Sequence, residues 1–252
     1  MTELNLLELV GLSLAGIFAG FLNVVAGGGS LLTLPIMIFL GLPPVVANGT
    51  NRIGIIAQNI VAVSNFTRKG VFVHPYSWYA ALIAVVGSLL GSMLALELDD
   101  KIFNRILSVV MVVVGITILL KNNPTVSQIK ELSAKSRIAS LVLFFFVGIY
   151  GGFIHVGIGF LMIVILTRIN QLTLLYANSV KVFVALLFSL SSVVVFILND
   201  AINWKVGLTL AIGTSTGGYL GSHFTMKKGE KWIKLIMILA IGVMAIKLWF
   251  VK

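Results

Sequence analysis

The run Ala26-Gly27-Gly28-Gly29-Ser30 interrupts one apolar stretch and opens another, shorter one. A helix that restarts here exposes N–H groups without intrahelical partners and about half a positive charge. Glycine lets a ligand approach the backbone and supplies positive φ where a turn, at Gly28 for instance, needs it. Ser30 adds a hydroxyl that can cap the helix or donate. Val156-Gly157-Ile158-Gly159 repeats the device later in the chain. Two half-helix N-termini that face each other form an anion site. Either cluster alone reads first as a packing or turn element; their recurrence at matching positions favours the anion site.

The segment after the first break carries Asn48, Asn51, Arg52, Gln58, Asn59 and Asn65, at spacings of 3, 4 and 7. That is a polar stripe on an apolar helix. Its counterpart carries Asn178 and Lys181, with Ser189 and Ser192 further along, and Asn51 and Lys181 correspond at an offset of 130. Lys181 lies about eight residues, ~12 Å, into its helix. An ionisable group at that depth is a candidate counter-charge for an anion, unless its stem snorkels to the headgroups. Arg52 is nearer its helix end and snorkels more easily. His155, just before the second break, is either a proton carrier or a buried, hydrogen-bonded histidine with no role in transport. His74 and His223 sit near segment ends and read as interfacial. The expected substrate-binding set is Gly27, Gly28, Gly29, Ser30, Asn51, Gly157, Gly159 and Lys181, with Arg52, Gln58, His155 and Asn178 as further candidates.

Other chemistries are excluded or unsupported. The chain has no Cys, so no disulfide framework, thiolate metal site or thiol catalysis. Its carboxylates lie mostly at segment ends, giving no acidic dyad, no metal cluster and no call for a cofactor. Ser30 and His155 form no recognisable serine dyad, because no G-x-S-x-G surrounds Ser30. The chain is not expected to be an enzyme.

These residues sit in a chain of 252 residues that is 59% hydrophobic and only 10% charged, with mean hydropathy +1.09. So few charged groups cannot clothe a water-soluble surface, and runs of about 20 apolar residues identify an all-α, polytopic membrane protein. The net charge of +10 reflects basic residues at segment ends, as the positive-inside effect requires, and nucleic acid is not an expected partner. The expected partners are a small anion and the bilayer, with a homo-oligomer left open. The N-terminus carries Glu3 and Glu8 and no cleavage site, so 4–25 reads as a retained helix.

The sequence repeats itself. Gly16, Gly20 and Phe21 return as Gly148, Gly152 and Phe153, and Gly27 returns as Gly159, all 132 positions later. Ala47-Asn48 returns as Ala177-Asn178, and the Gly87/Gly91 pair as Gly217/Gly221, 130 later. The expected plan is a first repeat over 1–122, a linker over 123–136 and a second repeat over 137–252. The first repeat has helical segments at 4–25, 30–41, 46–66, 76–96 and 102–120. The second has 137–155, 158–168, 173–198, 204–225 and 231–251. The short pieces span roughly 18 Å against a ~30 Å hydrocarbon core, so each pairs with the helix before it as a glycine-broken hairpin. Three crossings follow in each half, which inverts the halves relative to each other. Basic residues then divide eleven to four. Arg68, Lys69, Lys121, Lys130, Lys135, Arg137, Arg168, Lys227, Lys228, Lys231 and Lys234 lie on one face, and Lys101, Arg105, Lys205 and Lys252 on the other. The basic face is expected in the cytoplasm and both termini outside. Glycines four apart (Gly16/Gly20, Gly87/Gly91, Gly148/Gly152, Gly213/Gly217/Gly221) read as close helix-packing sites.

The stretch Asn23-Val24-Val25-Ala26-Gly27-Gly28-Gly29-Ser30-Leu31-Leu32-Thr33-Leu34-Pro35, followed by Gly41-Leu42-Pro43-Pro44-Val45-Val46-Ala47-Asn48-Gly49-Thr50-Asn51, resembles the sulfite exporter TauE/SafE family. Arg68-Lys69-Gly70 and the two-repeat layout fit the same resemblance, which covers essentially the whole chain. His155 and Phe160 depart from the glycine-rich pattern in the second repeat. The resemblance implies a prokaryotic inner-membrane transporter of sulfur oxyanions or organosulfonates such as sulfite or sulfoacetate. A passive anion channel and a non-transporting scaffold are the alternatives; polar residues inside the membrane are unnecessary for a scaffold, and paired breaks favour alternating access over a fixed pore.

Overall fold

The computed structural model describes residues 4–120 and 134–225. The expected helix at 231–251 and most of the linker lie outside the described residues. Within them the elements are α1 (Leu6–Val25), α2 (Ser30–Phe39), α3 (Pro44–Arg68), α4 (Tyr76–Leu96), α5 (Asp100–Leu120), α6 (Ala134–Phe153), α7 (Ile158–Val164, continued as a π-helix over Ile165–Ile169), α8 (Leu174–Leu198) and α9 (Trp204–Thr225). No strand occurs among the described residues.

The ends of these helices follow from local sequence. Asn5 and Glu8 form a reciprocal capping box that starts α1: the Glu8 amide donates to Asn5 Oδ1 and the Asn5 amide to the Glu8 carboxylate, both at 2.9 Å. Pro44 occupies the first turn of α3, where its missing N–H costs nothing. Asp99 accepts the Ile102 amide at 2.8 Å and starts α5. The second series retraces the first: lengths of 20, 10, 25 and 21 residues are followed by 20, 7 plus 5, 25 and 22.

The glycines four apart explain how the helices interlock. A Cβ at Gly87 or Gly91 would run into the carbonyls of Phe145 or Ile149 on α6, and one at Gly148 or Gly152 into those of Ala84 or Ser88 on α4. Likewise Gly213 and Gly217 of α9 lie on the Ser13 and Ile17 carbonyls of α1, while Gly16 and Gly20 of α1 lie on Leu210 and Thr214 of α9. The halves therefore exchange partners: the first helix of each packs on the fourth of the other. Small residues on both sides bring the backbones close enough for dispersion contacts along the whole seam, the chief attraction available between helices in lipid.

The molecule is polar inside and apolar outside. Leu6, Leu14, Leu82, Val142 and Ile212 are exposed, while Asn48, Arg52, Gln58, Asn59, Asn178 and Lys181 are buried. In water that outer surface would be an aggregation hazard; in a bilayer it faces its proper solvent. Four helices (α1, α4, residues Lys135–Phe153 of α6, and α8) are long and apolar enough to cross a membrane. α3 and α9 have 25 and 22 residues but a lower mean hydropathy, since they carry the polar stripe and the Gly/Ser/Thr seam. α3 and α8 form the centre, with α9 packed on α3 and α4 on α8. The short helices do not extend their predecessors: Gly29 lies against Ala19 and Asn23, so the chain doubles back along α1.

Candidate functional site

Each break is built by one glycine with positive φ and one close approach. Gly27 has φ +93°, a conformation that only glycine adopts without cost. Ala26 and Gly27 both donate to the Leu22 carbonyl, at 2.8 and 3.1 Å, and close the end of α1. The positive φ expected at Gly28 thus belongs to Gly27. Gly29 has ordinary right-handed backbone, φ −58°; it must be glycine because a Cβ would enter the Ala19 carbonyl. In the second break Gly157 has φ +69°, and the Tyr150 hydroxyl donates to the Val156 carbonyl at its back. The two breaks meet. The backbones of Gly27 and Gly159 touch, and no side chain would fit between them.

Beyond the meeting point the short helices begin with open amides. Leu31 and Leu32 donate back to the carbonyls of Gly28 and Gly29, but the amides of Gly28, Gly29 and buried Ser30 have no described acceptor. In the second break Phe160 donates to Gly157 at 3.1 Å, and the amides of Ile158 and Gly159 likewise have no described acceptor.

The two buried cations perform the same task in opposite halves. Lys181 Nζ on α8 donates to the carbonyls of Asn23 (2.9 Å) and Val24 (2.7 Å), at the end of α1, and to Asn178 Oδ1 (2.6 Å). Arg52 on α3 donates from Nη1 to the Gly151 carbonyl (2.8 Å) and Ser192 Oγ (2.9 Å), and from Nη2 to the Gly152 carbonyl (2.6 Å) and Asn48 Oδ1 (3.4 Å). Asn48 Nδ2 completes the cap of α6 by donating to Phe153 at 2.7 Å. The guanidinium lies 5.1 Å from the Phe196 ring centroid. Neither stem snorkels: relative exposure is 2% for Lys181 and 0% for Arg52. Orphan carbonyls at a buried helix end outcompete the headgroups for the charge.

Asn51, by contrast, stays in its own half: its Oδ1 accepts from Thr33 Oγ1 of α2 at 2.7 Å. Its Nδ2 has no partner, and neither do Arg52 Nε, Gln58 Nε2, Asn59 Nδ2, Asn178 Nδ2 or Ser189 Oγ, all buried. His155 is 3% exposed, its Nδ1 also lacks a partner, and its ring lies 5.1 Å from that of Phe188. Buried unpaired donors are costly and rare in folded proteins; here they gather on α3 and α8, the helices that carry the cations. No Asp or Glu is buried among the described residues, and no group of three His, Asp or Glu among them could hold a metal.

The sequence thus placed most of these residues inside the membrane, and the structure joins them in a pattern it did not anticipate. Thr33 was missed, as an isolated hydroxyl in an apolar helix; its cue is the buried Asn51 opposite. The equivalence of Arg52 with Lys181 was missed because the two stand one residue out of register in the repeat alignment, although Asn48 and Asn178 align.

A family model for the sulfite exporter TauE/SafE matches residues 12–248. The chain belongs to that family. Among TauE/SafE relatives, a probable membrane transporter protein of Haemophilus influenzae is 28% identical over 244 residues, covering 93% of this chain and 94% of the relative. The probable membrane transporter protein YfcA of Escherichia coli K12 is 25% identical over 236 residues, covering 92% and 86%. The probable membrane transporter protein YunE of Bacillus subtilis is 23% identical over 246 residues, covering 88% and 90%. No solved structure matches significantly. This TauE/SafE chain is a multi-pass membrane transporter.

Proposed function

We propose that the chain is a secondary transporter that exports a small sulfur-containing anion, sulfite or an organosulfonate such as sulfoacetate, by alternating access. The observation that carries this reading is the surplus of buried donors. Six side-chain donor groups without partners (Asn51, Arg52, Gln58, Asn59, Asn178, Ser189) lie buried along α3 and α8, which pack on each other, and the amides of Gly28, Gly29 and Ser30 stand open at the first break, tied to α3 through the Thr33–Asn51 hydrogen bond. An oxyanion offers several acceptor lone pairs in one place and offsets the cost of leaving dry the donors it reaches. Gly157 and Gly159 face them from the other half, and Lys181 supports the site indirectly, by neutralising the carbonyl end of α1. The burial of these donors among the described residues supports an occluded state over an open pore.

The halves are inverted repeats, 1–122 and 137–252, in a prokaryotic inner membrane with both termini outside and the 123–136 linker in the cytoplasm. His155 is the candidate for proton coupling, and its unpaired Nδ1 beside the second break supports that role. The test is flux of sulfite, sulfoacetate and thiosulfate in proteoliposomes, with and without a pH gradient. Saturable flux of at least one anion, accelerated by the gradient, is expected. Flux of none, or unsaturable flux of all small anions, would overturn the reading.

A further inference from the structure

A helix that stops inside a membrane leaves two opposite poles together: the carbonyl end of its first half, negative, and the amide end of its second half, positive. In transporters with broken helices, carbonyl ends hold coupling Na+ while amide ends face the anionic group of the substrate. In this chain the carbonyl ends are already occupied. Three oxygens, those of Asn23, Val24 and Asn178, converge on Lys181 Nζ within 2.9 Å. Four converge on the Arg52 guanidinium, from Gly151, Gly152, Ser192 and Asn48. Each cation reaches over from the long helix of the opposite half, and each is steadied by an Asn one turn earlier.

We propose that Arg52 and Lys181 are tethered counter-cations that fill the place of a coupling Na+ at the two breaks, so that they set the charge selectivity of the pathway and leave transport independent of Na+. A free Na+ can leave with its substrate; a side chain cannot. The negative pole of each broken helix is therefore permanently cancelled, and an approaching anion meets only the amide pole. The ammonium donates to all three oxygens, so truncating the side chain leaves buried acceptors that a small monovalent cation can satisfy in its place. The proposal rests on the anion-transport reading for its consequence, although its readout needs no flux.

The experiment is thermal unfolding of the purified full-length protein in NaCl, methylammonium chloride or choline chloride at equal ionic strength, for wild type, Lys181→Ala and Arg52→Ala. Wild type should unfold at the same temperature in all three. Lys181→Ala should gain about 3 °C or more in Na+ or methylammonium over choline, because a ligand that binds only the folded state stabilises it. Arg52→Ala should behave alike, with guanidinium chloride at low millimolar concentration as the matching cation. A wild type stabilised by Na+, or a folded Lys181→Ala that is indifferent to every cation, would overturn the proposal. Should the Ala variants fail to fold, wild-type anion flux decides: equal rates in Na+ and choline support the tethered cations, and a tenfold fall in choline overturns them. A chain that moves none of the tested anions yet shows the cation pattern would sink the anion reading while supporting this assignment.

Discussion

The two breaks do the same job with different chemistry. The first joins two regular helices across Gly27, and its carbonyl end is capped by a flexible ammonium. The second runs into seven α-helical residues followed by a π-helical stretch, and its carbonyl end is capped by a planar guanidinium that also lies over Phe196. Lysine is a compact point charge whose three donors adjust to the oxygens they find; arginine presents a fixed fork. The guanidinium therefore demands one arrangement of the oxygens at the second break, whereas the ammonium at the first tolerates several. A repeat keeps what geometry demands, namely touching glycines, capped carbonyl ends and open amides, and lets the residue that supplies it drift.

The largest effect should come from the shared contact. Gly27→Ala and Gly159→Ala each force a methyl into the opposing backbone, and Gly27 also loses its positive φ. Each should cost about 3 kcal/mol or more and leave no flux, measurable as loss of a folded peak in size-exclusion chromatography. Near-normal folding of Gly159→Ala would break the claim that the breaks meet.

Next come the caps. Arg52→Lys should lose more than Lys181→Arg, because an ammonium cannot span the fork of oxygens that holds the guanidinium. We expect about 1–3 kcal/mol for Arg52→Lys, read from Tm, and intermediate flux for Lys181→Arg. Equal losses at both positions would remove the distinction between a fixed and an adjustable break.

Gln58→Leu and Asn59→Leu sharpen the functional half of the comparison. Each removes a buried donor that has no partner, so stability should stay level or rise, while flux falls about tenfold through loss of a hydrogen bond to the anion. A fall in Tm with unchanged flux would mark these amides as structural. Gly29→Ala should be as destabilising as Gly91→Ala, since both abut a neighbouring carbonyl, at about 1–3 kcal/mol each. Gly11→Ala, with open space around its Cβ, should be the smallest change, a gain within about 1 kcal/mol.

Most of the fold was readable because a bilayer leaves few options: helix lengths and apolarity fixed α1, α4 and α8 to within a few residues, and the short segments could not cross. The glycine seams were readable as packing sites because small residues four apart have little other use in lipid. The polar stripe was readable because each polar residue in an apolar helix needs a reason. What the stripe bonds to was not readable. Carbonyl ends of α1 and α6 are invisible in a sequence, so the capping by Lys181 and Arg52 could not be foreseen, and the alignment that paired Asn51 with Lys181 hid it. The positive φ fell at Gly27, since three consecutive glycines offer no internal cue as to which one turns. Nor does the glycine pattern tell that Gly29 is needed for packing; the neighbour it must avoid is Ala19, ten residues earlier.

The central claim is that an anion sits beside the meeting point of the two breaks, at the open amides that begin α2. The direct measurement is anomalous diffraction from crystals of the wild-type protein grown with selenite, the heavier analogue of sulfite. The account predicts one strong peak within hydrogen-bond reach of the amides of Gly28, Gly29 or Ser30 and of the donors on α3, absent in Gln58→Leu/Asn59→Leu crystals. Peaks confined to the outer surface, with the amides of 28–30 dry, would contradict it.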